Sequence, residues 1–256
     1  MKHCRFGLIG HPIAHSLSPA LFKAGYEGRY PYELIEGEDF EESYQKFLEE
    51  YDGINVTAPF KELAFAKADI LSPECEAVGA TNLLVKTPEG VKAFNSDFLG
   101  VRMWLEETTA DVLSEELSVL IVGMGGAGKA AAAAAESLGL HVIRMNRTVR
   151  DDRTRPLEDF RECFREADII IYNIPGTIPA LNELTDNDFT PGRPKFILEA
   201  NYKNPSFDEA LLEKMQKANP LAQYTGGKTW LLYQAVTGYE IFTGEKPDLR
   251  RMADVL

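Results

Sequence analysis

The run Gly123-Met124-Gly125-Gly126-Ala127-Gly128 limits the possible folds more than any other segment of this chain. It follows the apolar stretch Ser118-Val119-Leu120-Ile121-Val122 and opens the alanine-rich stretch Gly126 to Leu138. A short apolar run bounded by glycine reads as a buried strand, and alanine is the strongest helix former. Strand, glycine turn and helix in that order make the first unit of a dinucleotide-binding domain. One glycine permits the tight turn, one lets backbone approach a pyrophosphate, and Gly128 allows the helix to pack closely on the strand. The free amides and dipole at the helix start then hold phosphate oxygens. Gly123, Gly125, Gly126, Ala127 and Gly128 are therefore the expected diphosphate cradle. Glycine turns also serve packing or S-adenosylmethionine, so the flanking strand and helix carry the reading.

The second strand, His141-Val142-Ile143-Arg144-Met145, ends at Asn146-Arg147-Thr148, with Arg150 just beyond. A unit that prefers NAD places a carboxylate near this point for the ribose hydroxyl. A guanidinium and a hydroxyl instead suit a 2′-phosphate through charge-assisted hydrogen bonds. NADP is the expected cofactor, held by Asn146, Arg147 and Thr148. A solvated basic loop is the plainer alternative, and Asp151 and Asp152 work against the preference.

The chain has 256 residues, enough for one large domain or two smaller ones, and is 45% hydrophobic. Upstream of the glycine turn, strand-like and helix-like stretches alternate. Phe6–Gly10, Tyr32–Ile35 and Gly53–Thr57 read as strands, with helices after Ser18-Pro19, over Phe40–Tyr51 and over about Phe60–Ala68. Ser18 looks like the N-cap of the first helix, with Pro19 at N1. Alternation of this kind predicts an α/β fold with a mostly parallel sheet. Asp97 leads into a helix over Phe98–Glu107, and the polar stretch Glu106–Leu117 reads as the crossing into a second domain. Asp168–Tyr172 and Lys195–Ala200 are further core strands, and Thr229–Phe242 has helical spacing. The expected division is residues 1–100, completed by helices in 227–256, and a compact dinucleotide-binding domain over 101–226.

The formal net charge of −13 opposes binding to nucleic acid phosphates and is silent on small anions. No apolar run approaches the roughly 20 residues that span a bilayer, and the opening Met1–Gly7 has no secretory h-region. Cys4, Cys75 and Cys163 make no CxxC and no even framework, so a reducing cytoplasm is the expected location. His11 and His15 sit among prolines and serines, which is loop chemistry, and no metal is expected. The expected partner is a small-molecule substrate, with no nucleic acid and no membrane, for a monomer or homodimer.

Several polar residues upstream of the turn are bland when taken singly. Ser16 and Ser18 point the same way if extended, yet Ser18 could simply cap a helix. Lys61, after Pro59, is ordinarily a surface residue, and Asp97 before a helix is ordinarily a cap. Together they change character. A lysine and an aspartate, each framed by asparagine and hydroxyl side chains, make a site for a small, oxygen-rich substrate.

The ordered set Ile13-Ala14-His15-Ser16-Leu17-Ser18-Pro19, Asn55-Val56-Thr57-Ala58-Pro59-Phe60-Lys61, Gly79-Ala80-Thr81-Asn82, Asn95-Ser96-Asp97 and the Gly123 turn resembles the shikimate dehydrogenase family. The likeness extends to Asn146-Arg147-Thr148, Tyr202 and Gly227 through Gln234, and so covers nearly the whole chain. It implies reversible, NADPH-dependent reduction of 3-dehydroshikimate to shikimate, in aromatic amino acid biosynthesis. It implies a discontinuous substrate domain, a Rossmann-like cofactor domain, and a cleft between them. By this resemblance Ser16 and Ser18 bind the substrate carboxylate, and Thr57, Asn82 and Gln234 bind ring hydroxyls. Tyr202 joins the substrate residues, Gly227 the cofactor residues, and Lys61 and Asp97 form the catalytic pair.

The chain departs from the family pattern at four places. The usual Asn-Thr-Asp is Asn95-Ser96-Asp97, and Phe22-Lys23 replaces the usual residues after Ser-Pro. The stretch Asn146–Asp168 is short, as though a helix and a strand were missing. Tyr172-Asn173-Ile174-Pro175-Gly176 stands in place of the usual Asn-Ala-Thr segment beside the nicotinamide. Three other readings compete: an NAD-preferring quinate/shikimate dehydrogenase, a catalytically silent metabolite-binding relative, and a methyltransferase built on the glycine turn. The last leaves Lys61, Asn82 and Asp97 without a task.

Overall fold

The computed structural model describes residues 4–110 and 117–256. The chain divides into two compact units, Met1–Gly100 with Leu232–Leu256, and Val101–Leu231. The central part of the polar crossing expected over Glu106–Leu117 lies outside the described residues.

The first unit runs β1 (Phe6–Gly10), α1 (Ser18–Gly25), β2 (Tyr32–Glu36), α2 (Phe40–Glu50), β3 (Gly53–Val56), α3 (Lys61–Lys67), β4 (Ile70–Leu71), α4 (Pro73–Val78), β5 (Leu83–Thr87) and β6 (Gly90–Phe94), and then enters α5 (Ser96–Thr109). Its sheet has the order β2-β1-β3-β5-β6-β4. β1 is buried along its length and pairs in parallel with β2 and β3. β5 runs antiparallel to both β3 and β6, and β4 joins β6 in parallel. The sheet is mostly parallel, as the alternation predicts. The β5–β6 hairpin and the two-residue β4 carry no periodicity strong enough to read from sequence. α2 follows its pattern closely: Asp39 accepts from the Glu42 amide at 3.0 Å, and Phe40, Tyr44 and Phe47 form the buried stripe against the sheet.

Two expectations about helix starts are corrected. α1 begins at Ser18 itself, with Leu17 as N-cap and no side-chain capping bond, so Ser18 does not cap it. α5 begins two residues before the expected Phe98, because the Asn95 carboxamide accepts from the Phe98 amide at 3.0 Å. Asn95 takes the capping task, and Asp97 stands free of it in the first turn.

The second unit runs β7 (Ser118–Val122), α6 (Gly126–Ser137), β8 (His141–Met145), β9 (Thr154–Arg155), α7 (Phe160–Glu166), β10 (Ile169–Tyr172), α8 (Pro179–Asn182), β11 (Lys195–Glu199), α9 (Glu209–Ala218) and β12 (Ala222–Thr225). The chain closes with α10 (Gly227–Thr243) and α11 (Leu249–Ala253). The sheet is parallel throughout, in the order β9-β8-β7-β10-β11-β12. That is the doubly wound order, with its switch point between β7 and β10, where such sheets receive ligands. α6 lays Ala130, Ala131, Ala134 and Ala135 on the sheet with no exposed surface. The short stretch after Asn146 has lost only its helix: β9 remains, as a two-residue strand paired with Arg144 and Met145.

Candidate active site

Within the first unit Ser16 and Ser18 bond each other, and Tyr32, Asn55, Asn82, Ser96 and Gln234 lie on one run of hydrogen bonds. The Ser16 hydroxyl donates to Ser18 Oγ at 3.1 Å. The Tyr32 hydroxyl donates to Asn55 Oδ1 at 2.8 Å. Asn55 Nδ2 donates to the Asn82 carbonyl at 3.4 Å. The Asn82 side chain clasps Ser96, accepting from its amide at 2.7 Å and donating to its hydroxyl at 3.1 Å. The Ser96 hydroxyl reaches Gln234 Oε1 at 3.3 Å. Asn82 and Ser96 are buried. Since a carboxamide nitrogen carries two donors, one hydrogen of Asn82 Nδ2 remains for a ligand.

Lys61 and Asp97 stand beside this run. Phe60, buried at the end of the β3–α3 connection, anchors Lys61 as the first residue of α3. Lys61 Nζ donates to Asp97 Oδ2 at 2.9 Å, with side chains 34% and 14% exposed, so the pair is screened from bulk water without being sealed off. An ammonium so placed can stabilise negative charge developing on a nearby oxygen. Thr57, half-buried after β3, packs its methyl against Gly10, where a Cβ would come within 2.4 Å. The departure at Phe22 falls in the core: its ring is buried against Tyr32 and Tyr239, both at 4.8 Å.

Three of these participants were not foreseen. Asn55 lay unremarked inside the lysine motif, whereas Tyr32 and Tyr239 read only as strand and helix apolar positions. Tyr239 donates its hydroxyl to the Ser18 carbonyl at 3.1 Å and so fixes the start of α1.

The second unit supplies a different kind of site. Gly123 has φ +92°, a conformation that requires glycine. A Cβ on Gly128 would sit 1.8 Å from the Gly123 carbonyl oxygen, so α6 packs directly on the turn. Cβ atoms on Gly125 and Gly126 would meet nothing, which leaves the start of α6 open to a ligand. Beside it is a pocket of about 440 Å³ walled by Gly125, Lys129, Arg144, Asn146, Thr148 and Arg150. Asn146 braces it, accepting from the Met124 amide at 3.5 Å and donating to the Thr148 carbonyl at 3.2 Å.

These residues fit a phosphorylated dinucleotide: open helix amides would hold the diphosphate, and three cationic side chains on the pocket wall suit a further phosphate. Arg147 is exposed and is not on the pocket wall; Arg150 and Lys129 are. Arg144 also lines it while paired with Glu136. Asp151 is on the wall too, its carboxyl held below the usual range first by the Thr154 hydroxyl and then by the Arg153 amide. Tyr202 and Gly227 are neighbours in this unit, and a Cβ on Gly227 would come within 2.7 Å of the Tyr202 amide nitrogen. Gly227 thus has a packing reason to be glycine.

Comparison with known proteins agrees with both halves. The family model described as shikimate dehydrogenase substrate binding domain matches residues 8–84. The one described as D-isomer specific 2-hydroxyacid dehydrogenase, NAD binding domain, matches residues 83–198. A shikimate dehydrogenase (NADP(+)) of Thermus thermophilus is 30% identical, over 95% of this chain and 94% of its own. A Thermus thermophilus shikimate 5-dehydrogenase solved with NADP(H) and shikimate superposes with a TM-score of 0.75 at 27% identity, covering 98% of both chains. A quinate dehydrogenase of Corynebacterium glutamicum solved with NAD has a TM-score of 0.79 at 23% identity, again over 98% of both, and so shares the fold. Full-length kinship together with the serine, lysine and aspartate motifs in their expected order makes this chain a member of the shikimate dehydrogenase family.

Proposed function

We propose that the chain catalyses the reversible NADPH-dependent reduction of 3-dehydroshikimate to shikimate, with Lys61 and Asp97 as its catalytic pair. The observation that carries this reading is the 2.9 Å contact of Lys61 with Asp97 beside the polar run from Asn55 through Asn82 and Ser96 to Gln234. The bound cofactor supplies a hydride to the carbonyl carbon. Lys61 stabilises the charge that builds on the carbonyl oxygen and is positioned to give it a proton. Asp97 orients Lys61 through their 2.9 Å contact. Ser16 and Ser18 take the carboxylate, and Thr57, Asn82 and Gln234 take ring hydroxyls, with Tyr202 a further substrate contact. Gly123, Gly125, Gly126, Ala127 and Gly128 cradle the diphosphate. Asn146 and Thr148, with Arg150 and Lys129 in the part first given to Arg147, receive the 2′-phosphate, and Gly227 lies on the cofactor side.

The direct test follows NADPH absorbance with purified protein and 3-dehydroshikimate. Turnover that requires both reactants supports the reading, and its absence sinks it. We place the protein in a reducing cytoplasm, where Cys4, Cys75 and Cys163 stay free thiols, as a monomer or homodimer.

A further inference from the structure

Ser96 and Gly100 lie one turn apart on α5, and Gln234 and Gly238 one turn apart on α10, so each pair shares a helix face. All four belong to the first unit. A Cβ on Gly100 would lie 2.6 Å from the Gln234 amide nitrogen, and one on Gly238 would lie 3.2 Å from Ser96 Cβ. The two glycines let the backbones close in until the buried Ser96 hydroxyl reaches the Gln234 carboxamide.

The direction of each bond here follows from one donor that has no choice. The Ser96 backbone amide can only donate, and it meets Asn82 Oδ1 at 2.7 Å. The other end of that carboxamide, Nδ2, faces the Ser96 hydroxyl at 3.1 Å and donates to it. Ser96 Oγ also stands 3.3 Å from Asn82 Oδ1 and 3.3 Å from Gln234 Oε1. A tetrahedral hydroxyl cannot accept from one end of a carboxamide and donate to the other, because the two directions lie too close together. The single Ser96 proton therefore goes to Gln234. Gln234 holds its oxygen toward Ser96 and turns its Nε2, a pure donor, away from it.

We propose that Ser96 is a positioning residue that fixes Gln234 as a hydrogen-bond donor to the substrate, so that a ring hydroxyl is read there through its lone pairs. The same hydroxyl fixes Asn82 as a donor, with one Nδ2 hydrogen still to give. Without the Ser96 proton the Gln234 carboxamide can present either end to the ligand, and that selectivity is lost. The proposal rests on the shikimate reading of the site, since it needs a ligand that bears ring hydroxyls.

Ser96→Ala removes the proton and leaves the backbone amide in place. KM for shikimate should rise about tenfold, the loss expected for one interior hydrogen bond, while kcat changes far less. Ser96→Thr keeps the hydroxyl and should hold KM within about twofold of wild type. Ser96→Cys donates only weakly, so it should resemble Ser96→Ala and replaces it if the alanine variant does not fold. The decisive readout is a double-mutant cycle on KM with Gln234→Ala. In the Gln234→Ala background, loss of the Ser96 hydroxyl should raise KM by less than about threefold, well short of its effect in wild type. Three results overturn this proposal alone: an unchanged KM in Ser96→Ala, single losses that multiply in the double variant, or a Ser96→Thr protein with wild-type melting and the KM of Ser96→Ala. A wild-type protein that does not turn over shikimate overturns it together with the functional reading.

Discussion

Lys61 and Asp97 each stand in the first turn of a helix, α3 and α5, and their side chains meet at 2.9 Å. The start of α5 favours the carboxylate, whereas the start of α3 disfavours the ammonium, so the ion pair offsets the dipole acting on Lys61. The partner of Lys61 is thus a side chain that has no capping duty of its own, since Asn95 caps α5.

Removal of the Lys61 ammonium should affect the transition state more than the ground state. Lys61→Ala should fold normally, still bind shikimate, and turn over at least about a hundredfold more slowly, the usual cost of one oxyanion donor. Asp97→Ala should be severely impaired, and the double variant little worse than the worse single one. Steady-state kinetics with shikimate and NADP check this. A near-normal kcat in Lys61→Ala would leave the metabolite-binding reading ahead.

Ser18 makes no capping bond, but Ser16 Oγ accepts from the Ser18 amide at the start of α1 at 3.2 Å, so a test of Ser16 must read stability beside affinity. Ser16→Ala should raise KM for shikimate and cost no more stability than a lost cap, about 1 kcal/mol. Paired melting curves and KM values decide. A lower melting temperature with an unmoved KM would make Ser16 a purely structural residue.

Arg150 lines the pocket beside the start of α6, and Arg147 does not. Arg150→Ala should therefore weaken NADPH by about tenfold or more, the worth of one charge-assisted hydrogen bond, and leave NADH nearly unaffected. Arg147→Ala should do much less. KM values for both cofactors in both variants test this, and a larger NADPH loss in Arg147→Ala would restore the simpler motif reading.

The legible parts of this molecule were those whose cause is local. The Gly123 turn, the lysine segment and the Asn95-Ser96-Asp97 segment each carry their chemistry within a few residues. The capping roles were misread because Ser18, Asn95 and Asp97 are all competent caps, and only the backbone decides which one acts. Tyr32 and Asn55 were out of reach for another reason: their contact depends on two strands flanking β1 in register, a relation between positions 23 residues apart. The pocket wall was hidden similarly. Arg144 and Lys129 come from a strand and a helix that no local pattern joins.

Lys195 provides a test of the second unit's core. Its side chain is 1% exposed, and its Nζ donates to the Phe164 and Ala167 carbonyls at 2.7 and 2.5 Å, closing the C-terminal end of α7. Burial lowers its pKa to about 8, against an opposing pull from Asp168. The unfolded chain regains the ordinary lysine value of about 10.4, so between the two values the unfolded state binds more protons than the folded one. Stability contributed by this group therefore rises with pH across that window. Below about pH 8 the full cost of burying the charge remains. Lys195→Met removes the titration and also leaves the carbonyls unpaired, so the variant should be less stable throughout. The melting-temperature gap between wild type and Lys195→Met should widen by a few degrees from pH 7 to pH 9.5. Comparing the two proteins cancels the raised tyrosines, which titrate alike in both. A gap that stays constant or narrows would mean that the carbonyl cage and the α7 dipole keep Lys195 charged at its ordinary pKa despite its burial.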